Sequence, residues 1–191
     1  MDNQKLIPDE QLIEKVLSRE VVFPGKLIRV EHWQVSLPNG HTALREVAVH
    51  IGAAAVVALD EHDQVIMVRQ HRVAVDHLTW EIPAGKLDSA DEDPLDCARR
   101  ELSEETGLEA DSWEKLTCME TTPGFCNERI HLYLARGLRQ GATHPDEDEF
   151  VTTRRLPLRE ALDQALKGEL RDGKTLVGLL MAAQKLGISS I

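Results

Sequence analysis

The sequence predicts a mixed α/β fold, a mixed sheet with helices on its faces, and three observations lead there. Strand-like runs of period two are interspersed with helical stripes of period 3.6; hairpin signals outnumber regular βαβ alternation; and Pro94 to Thr106 carries a full set of helix start and stop signals. At 191 residues and 42% apolar, the chain is long enough to bury a sizeable core. We expect a smaller N-terminal helix and β-hairpin region over residues 1–50 and a main domain over residues 51–191.

Taking the elements in order, Asp9 to Arg19 places Leu12, Ile13, Val16 and Leu17 on one stripe and is predicted as a helix. Leu27 to Leu37 and His41 to His50 read as strands around the turn signal Pro38-Asn39-Gly40. The apolar phase runs through Ile28 and Val30, then shifts to Trp33, Val35 and Leu37, which predicts a bulge near Glu31 and His32. Ala53 to Leu59 and Gln64 to Arg72 form a second expected hairpin around Asp60 to Asp63, followed by a short strand at Thr79 to Ile82. In the helix that follows, Asp93 can cap, Pro94 suits the first position, Asp96 occupies the capping-box place and Gly107 is set to stop it. Strands at Lys115 to Thr121, Ile130 to Ala135 and Phe150 to Leu156 and helices at Arg159 to Lys167 and Lys174 to Leu186 complete the expectation.

The balance of 22 Lys+Arg against 33 Asp+Glu gives a net charge of −11, which repels nucleic acid and anionic membranes as partners. An anionic substrate therefore needs a local device, a metal ion or an Arg cluster. The longest apolar run, Ile51 to Leu59, falls far short of the roughly 18 residues that span a bilayer. The segment MDNQKLIPDE shows no basic region followed by an apolar one, and a cytoplasmic setting is expected. Cys97, Cys118 and Cys126, an odd number without C-x-x-C spacing, read as reduced thiols.

The chemistry concentrates on the Pro94–Thr106 helix. Glu101, Glu104 and Glu105 fall at i, i+3 and i+4, beside the apolar stripe of Leu95, Ala98 and Leu102 rather than opposite it. Like charges at these spacings destabilise a helix by roughly 0.2–0.5 kcal/mol per pair even when solvated. A solvated acidic face is the ordinary reading of such a run. At the rim of a core, a divalent cation would relieve the repulsion, and an oxygen-only donor set suits Mg2+ or Mn2+ better than zinc.

Ile82-Pro83-Ala84-Gly85 through Arg100-Glu101-Leu102-Ser103-Glu104-Glu105-Thr106-Gly107-Leu108 resembles the Nudix box, G-x5-E-x7-R-E-U-x-E-E-x-G-U with U apolar. At about 7% occupancy per fixed position, matching the five fixed residues of its second half by chance is on the order of one in a million per start. Six residues separate Gly85 from Glu92 where the pattern has five, so either Asp91 stands for that glutamate or the loop carries an insertion. The resemblance implies an α/β/α sandwich and a hydrolase that cuts a nucleoside diphosphate linked to another group. By position, Glu101, Glu105 and the Ala84 carbonyl would be metal ligands, Glu104 would ligate or polarise the attacking water, and Arg100 would orient the carboxylates.

Beyond the box, the chain from Val22 to Leu186 is similar to the ADP-ribose pyrophosphatase group, through Leu44-Arg45-Glu46-Val47, Arg69-Gln70-His71-Arg72, Glu81-Ile82-Pro83-Ala84-Gly85 and Thr122-Pro123-Gly124-Phe125 with Asn127-Glu128. That resemblance implies that Arg72 holds a substrate phosphate, that Glu81 lies beside the diphosphate and metals, and that Arg45 and Glu46 contact adenine. Arg69 and Gly124 join them as substrate-side residues. In that group a loop glutamate swings in as general base or further metal ligand, and Glu147 and Glu149 both match its neighbourhood. The expected activity is Mg2+-dependent hydrolysis of ADP-ribose to AMP and ribose 5-phosphate. The rivals are another nucleoside diphosphate sugar such as GDP-mannose, and a silent ADP-ribose sensor. The Leu27–His50 hairpin is expected to build a homodimer. Trp33 reads as core or interface packing, and His71 and His131 as core or edge histidines rather than ligands.

Overall fold

The computed structural model describes residues 6–141 and 150–188. It divides into two compact units, one formed by residues up to His50 with Thr122–Glu128, the other by Ile51–Thr121 with Arg129 onward. Among the described residues no helix is long and apolar enough to cross a membrane.

The first unit is an antiparallel sheet of β1 (Lys15–Pro24), β2 (Arg29–Ser36) and β3 (Thr42–Val49), in that order. The expected Asp9–Arg19 helix is replaced by a short 3-10 turn, Asp9–Gln11, and then by β1. The register against β2 steps from Val16↔Val35 to Ser18↔Gln34 and from Val21↔Glu31 to Phe23↔Val30, leaving Leu17 and Val22 as extra residues. Each interrupts the period of two, so apolar residues fall in adjacent pairs, Val16-Leu17 and Val21-Val22, whose spacing mimics a helical stripe.

The bulges thus lie on β1, not at Glu31 and His32 as expected, for β2 pairs with β3 without a break from Arg29↔Val49 to Ser36↔Thr42. The apparent phase shift arises because Glu31 shares a face with Trp33 and Val35 and is itself buried. Trp33 Nε1 at 2.6 Å and Arg29 Nε at 2.5 Å donate to it, the first more strongly, and hold its carboxyl below the usual range. The Pro38-Asn39-Gly40 turn forms where expected, with Gly40 at φ 83° and Leu37 N donating to His41 O at 2.8 Å. Thr122–Glu128 docks on β3 through its backbone, Ala48 N donating to Phe125 O at 2.7 Å and Asn127 N to Ala48 O at 3.2 Å.

The second unit contains β4 (Ala53–Ala58), β5 (Gln64–Arg72), β6 (His77–Glu81), β7 (Ala84–Lys86), α1 (Pro94–Thr106), β8 (Leu108–Glu120), β9 (Arg129–Gln140), β10 (Thr152–Pro157), α2 (Leu158–Leu166) and α3 (Gly173–Leu186). One sheet runs β7-β4-β9-β8 with β4 parallel to β9 and the other pairs antiparallel; the second runs β10-β5-β6, all antiparallel. The expected β4–β5 hairpin is therefore a corner between two sheets, joined by a Leu59↔Val65 bridge and by Asp60 N donating to Gln64 O at 3.1 Å. Its reason is burial. Every residue of β4 is covered, and a strand buried on both faces takes central partners, β7 and β9, instead of its sequence neighbour.

Helices lie on both faces of β4. Ala55 and Val57 belong to a core with Leu158, Ala161, Leu162, Leu179 and Ala182 of α2 and α3, while Ala54, Val56 and Ala58 belong to another with Cys97, Ala98 and Leu102 of α1. Truncating a residue such as Leu102 or Leu179, both fully buried, would cost about 2–5 kcal/mol. Gly178 lets α3 approach, since a Cβ there would meet Val57 Cγ2 at 2.9 Å.

Candidate active site

The start and stop signals of α1 fix where its carboxylates point. The Asp93 carboxylate accepts from Leu95 N at 2.8 Å, Pro94 takes the first turn, and Gly107 ends the helix at φ 69° with its N–H on Ser103 O at 2.8 Å. Asp96 pairs with Arg99 at 3.1 Å instead of completing a capping box. With Cys97, Ala98 and Leu102 turned to β4, Glu101 and Glu105 land on the flank beside β7 and are buried, 7% and 5% exposed. Ala84 N donates to Glu105 Oε2 at 2.9 Å. A Cβ on Gly85 would overlap the Glu101 carboxylate, so only glycine lets that group lie there.

Arg100 spreads its guanidinium over this ring. It donates to Glu101 Oε1 at 2.7 Å, Glu104 Oε2 at 3.2 Å, Lys86 O at 3.2 Å and Glu92 Oε1 at 3.4 Å. Burial works against its charge, and the surrounding anions, Glu101 foremost, raise its pKa above the usual value nonetheless. Glu92 also accepts from Asp88 N at 2.5 Å. The network thus takes in Glu92, whose N–H donates to Ser89 O at 3.3 Å in the loop before α1. The Cys97 thiol, facing Lys86 O at 3.4 Å, is pushed up to about 12 by burial and stays protonated.

No three His, Cys, Asp or Glu side chains among the described residues form a ready-made metal cage. What converges is a pair of buried carboxylates, Glu101 and Glu105, on the Ala84–Gly85 backbone, with Glu104 turned to Arg100. Such a donor set fits a hard cation that keeps several waters and is bound by one or two carboxylates together with substrate phosphates.

A second cluster centres on Glu81, whose side chain is 2% exposed. It accepts from Arg72 Nε at 2.9 Å, Arg72 Nη2 at 2.7 Å and Thr79 Oγ1 at 2.5 Å, and from Lys174 Nζ. Burial opposes the charge, but the Arg72 hydrogen bonds and the Lys174 ammonium outweigh it and bring the pKa down to about 2. Arg72 and Glu81 meet because positions 68, 70 and 72 of β5 share a face opposite residues 81, 79 and 77 of β6. Arg69 falls on the other face, 5.6 Å over the Trp80 ring, and does not join them. Lys174 escapes sequence reading. Asp172-Gly173-Lys174-Thr175 reads only as a helix start, and its meeting with Glu81 spans 93 residues of chain.

In the first unit, Arg45 donates to Glu14 at 3.0 Å and, through Nη2, at 2.5 Å. Glu46 is exposed, 3.8 Å from His32 Nε2. The two are adjacent on β3 and so lie on opposite faces of that sheet. Gly124 has open space on its Cβ side. Arg19 lies 4.2 Å over the Trp33 ring. Glu147 and Glu149 lie outside the described residues. His71 is exposed near Asp76 at 3.6 Å, and burial, first among the causes, lowers the pKa of His131.

A sheet covered by helices on both faces, whose capped helix turns two buried carboxylates onto a glycine-containing strand, with an Arg–Lys pair on the buried Glu81, defines an α/β/α domain. The chain belongs to the NUDIX family, whose domain matches residues 49–177. It is 42% identical over 168 residues to a methanol dehydrogenase activator of Bacillus methanolicus, spanning 87% of this chain and 90% of that one. It is 40% identical, with the same coverage, to an ADP-ribose pyrophosphatase of Bacillus subtilis (strain 168). A crystal structure of an ADP compounds hydrolase superposes with a TM-score of 0.80 at 22% identity, covering 93% of this chain and 97% of that one, and shares the fold.

Proposed function

We propose that this protein hydrolyses the diphosphate of ADP-ribose with a divalent cation, Mg2+ or Mn2+, releasing AMP and ribose 5-phosphate. The observation that carries the reading is the burial of Glu101 and Glu105 side by side against Ala84 and Gly85, in a chain 40% identical to an ADP-ribose pyrophosphatase. Bound there, the cation would neutralise the diphosphate, act as a Lewis acid at phosphorus and lower the pKa of a bound water.

The side chains supply the rest. Glu101, Glu105 and the Ala84 carbonyl hold the ion, and Arg100 keeps the carboxylates in place. The planar fork of Arg72 binds phosphate oxygens. Arg45 and Glu46 are the adenine contacts that the family resemblance implies, with Gly124 a further substrate-side residue. A carboxylate takes the proton of the attacking water as its oxygen bonds to phosphorus; the bridging P–O bond breaks and the proton ends on the departing phosphate. Glu104 on α1 and the pair Glu147 and Glu149 compete for that role, and we favour the pair, because the resemblance to the ADP-ribose pyrophosphatase group points to them and because Glu104 already accepts from Arg100 Nη1 at 3.2 Å.

A homodimer through the three-stranded sheet belongs to the same reading. Val16, Leu17, Val21, Val22 and Phe23 on β1 are 43% to 59% exposed, an apolar strand that a second copy would cover. Light scattering should return twice the 21.4 kDa chain mass, and a fully active monomer at assay concentration would contradict it. The cytoplasmic setting is part of the proposal, supported by the nucleotide substrate and three free cysteines.

Arg72→Ala should raise KM for ADP-ribose by about ten- to a hundredfold with a smaller change in kcat, since a charged hydrogen bond is worth about 1.5–3 kcal/mol; steady-state kinetics check it. The substrate class is tested on a panel of nucleoside diphosphate sugars. AMP release from ADP-ribose should outpace GMP release from GDP-mannose, and the reverse order would favour the GDP-sugar reading.

A further inference from the structure

Arg72 is not free to meet a phosphate as it stands. Both its Nε and Nη2 are spent on Glu81, and Glu81 is buried. Pulling the arginine away would strand a buried carboxylate, which is strongly unfavourable unless another cation remains.

The cluster holds that second cation. Without Arg72, Oε1 of Glu81 still accepts from Thr79 Oγ1 and Oε2 still accepts from Lys174 Nζ, so each oxygen keeps a partner. The two cations differ in how firmly they are held. The Arg72 side chain is 41% exposed and its Nη1 stays outside the contact with Glu81, whereas that of Lys174 is 10% exposed and anchored at 3.0 Å to Asp172 Oδ1. Asp172 is itself fixed as the cap of α3, its Oδ2 accepting from Thr175 N at 3.0 Å and Thr175 Oγ1 at 2.6 Å. Thr175 Oγ1 in turn accepts from Ile82 N at 2.9 Å, next to Glu81. The start of α3 is thus stitched to Glu81–Ile82 through a closed ring of bonds, and Arg72 lies outside that ring.

We propose that Lys174 is a positioning residue for substrate binding: it keeps the buried Glu81 paired while Arg72 leaves that carboxylate for the diphosphate of the substrate. The inference rests on the reading of Arg72 as the phosphate-binding arginine. Lys174 itself touches no substrate. The two acids and two bases, Glu81, Asp172, Arg72 and Lys174, balance in charge, and an arriving phosphate takes Arg72 without leaving a buried anion unpaired.

The experiment measures ADP-ribose affinity in the presence of chelator, where turnover stops, together with KM and kcat in Mg2+, for five variants. Lys174→Gln keeps a hydrogen bond to Glu81 and loses the charge; it should weaken binding and raise KM about tenfold, with kcat within about threefold of wild type. Lys174→Arg restores the charge and should bind within about threefold of wild type. Glu81→Gln removes the anion that detains Arg72, so in that background Lys174→Gln should have no further effect on affinity. This last pair removes both charges together, and stays informative if the single Lys174 variant folds poorly. A folded Lys174→Gln that binds and turns over as wild type overturns the proposal, as does an equal loss with Glu81 replaced, which would make Lys174 a direct substrate contact. Arg72→Ala separates the parent reading: if it leaves affinity unchanged, that reading fails first; if it weakens binding while Lys174→Gln does not, only the inference fails.

Discussion

Glu105→Gln is expected to lower kcat for ADP-ribose at least about a hundredfold at fixed cation concentration and to raise the concentration of cation needed for half-maximal rate. Glutamine keeps the shape of the side chain and can still accept from Ala84 N, which lies 2.9 Å from Oε2. What it removes is one of two buried negative charges one helical turn apart. Withdrawing a preorganised electrostatic partner of a developing charge costs on the order of 10^2 to 10^3 in rate, and the anionic ligand also sets cation affinity. Stability should move the other way. Without cation, Glu101 and Glu105 repel at i, i+4, so the variant should melt no lower than wild type. A large fall in melting temperature would trace the lost activity to misfolding instead.

The second large effect concerns the general base. Glu147→Gln or Glu149→Gln should depress kcat by at least about 10^2 with KM near wild type, since a positioned base contributes about 10^2 to 10^4 and a solvated acid almost nothing. The resemblance to the ADP-ribose pyrophosphatase group implies that such a group arrives after substrate and cation have assembled. Glu104→Gln should show a smaller loss that depends on cation concentration. Near wild-type rates for both loop variants, with Glu104→Gln almost dead, would move the base onto α1.

How much of this could be read from the chain alone follows the range of the interactions. The α1 helix was legible because Asp93, Pro94 and Gly107 act on their immediate neighbours, and the flank of Glu101 and Glu105 follows from helical period. The β2–β3 turn was legible for the same reason, with Gly40 at the positive φ it requires. Misreadings arose where partners are distant. The bulges at Leu17 and Val22 disguised β1 as a helix, and β4 left its expected hairpin for a parallel partner 77 residues on, Ala53 against Ile130. In the site, Arg72 and Glu81 could be proposed by resemblance, whereas Lys174 could not, because nothing local to Asp172–Thr175 distinguishes a helix cap from a bridge to β6. The burial of Glu31 was hidden too, its two donors being sequence neighbours that read as ordinary strand residues.

The central claim is that the α1 carboxylates serve a cation-dependent cleavage of a nucleoside diphosphate. Its most direct measurement is product analysis of ADP-ribose incubated with chelator-treated protein, before and after Mg2+ is added. AMP and ribose 5-phosphate should appear in equal amounts only with the cation, and Glu101→Gln and Glu105→Gln should each suppress both products. Binding of ADP-ribose with no cleavage at any Mg2+ or Mn2+ concentration, or equal cleavage by those two variants, would contradict the account.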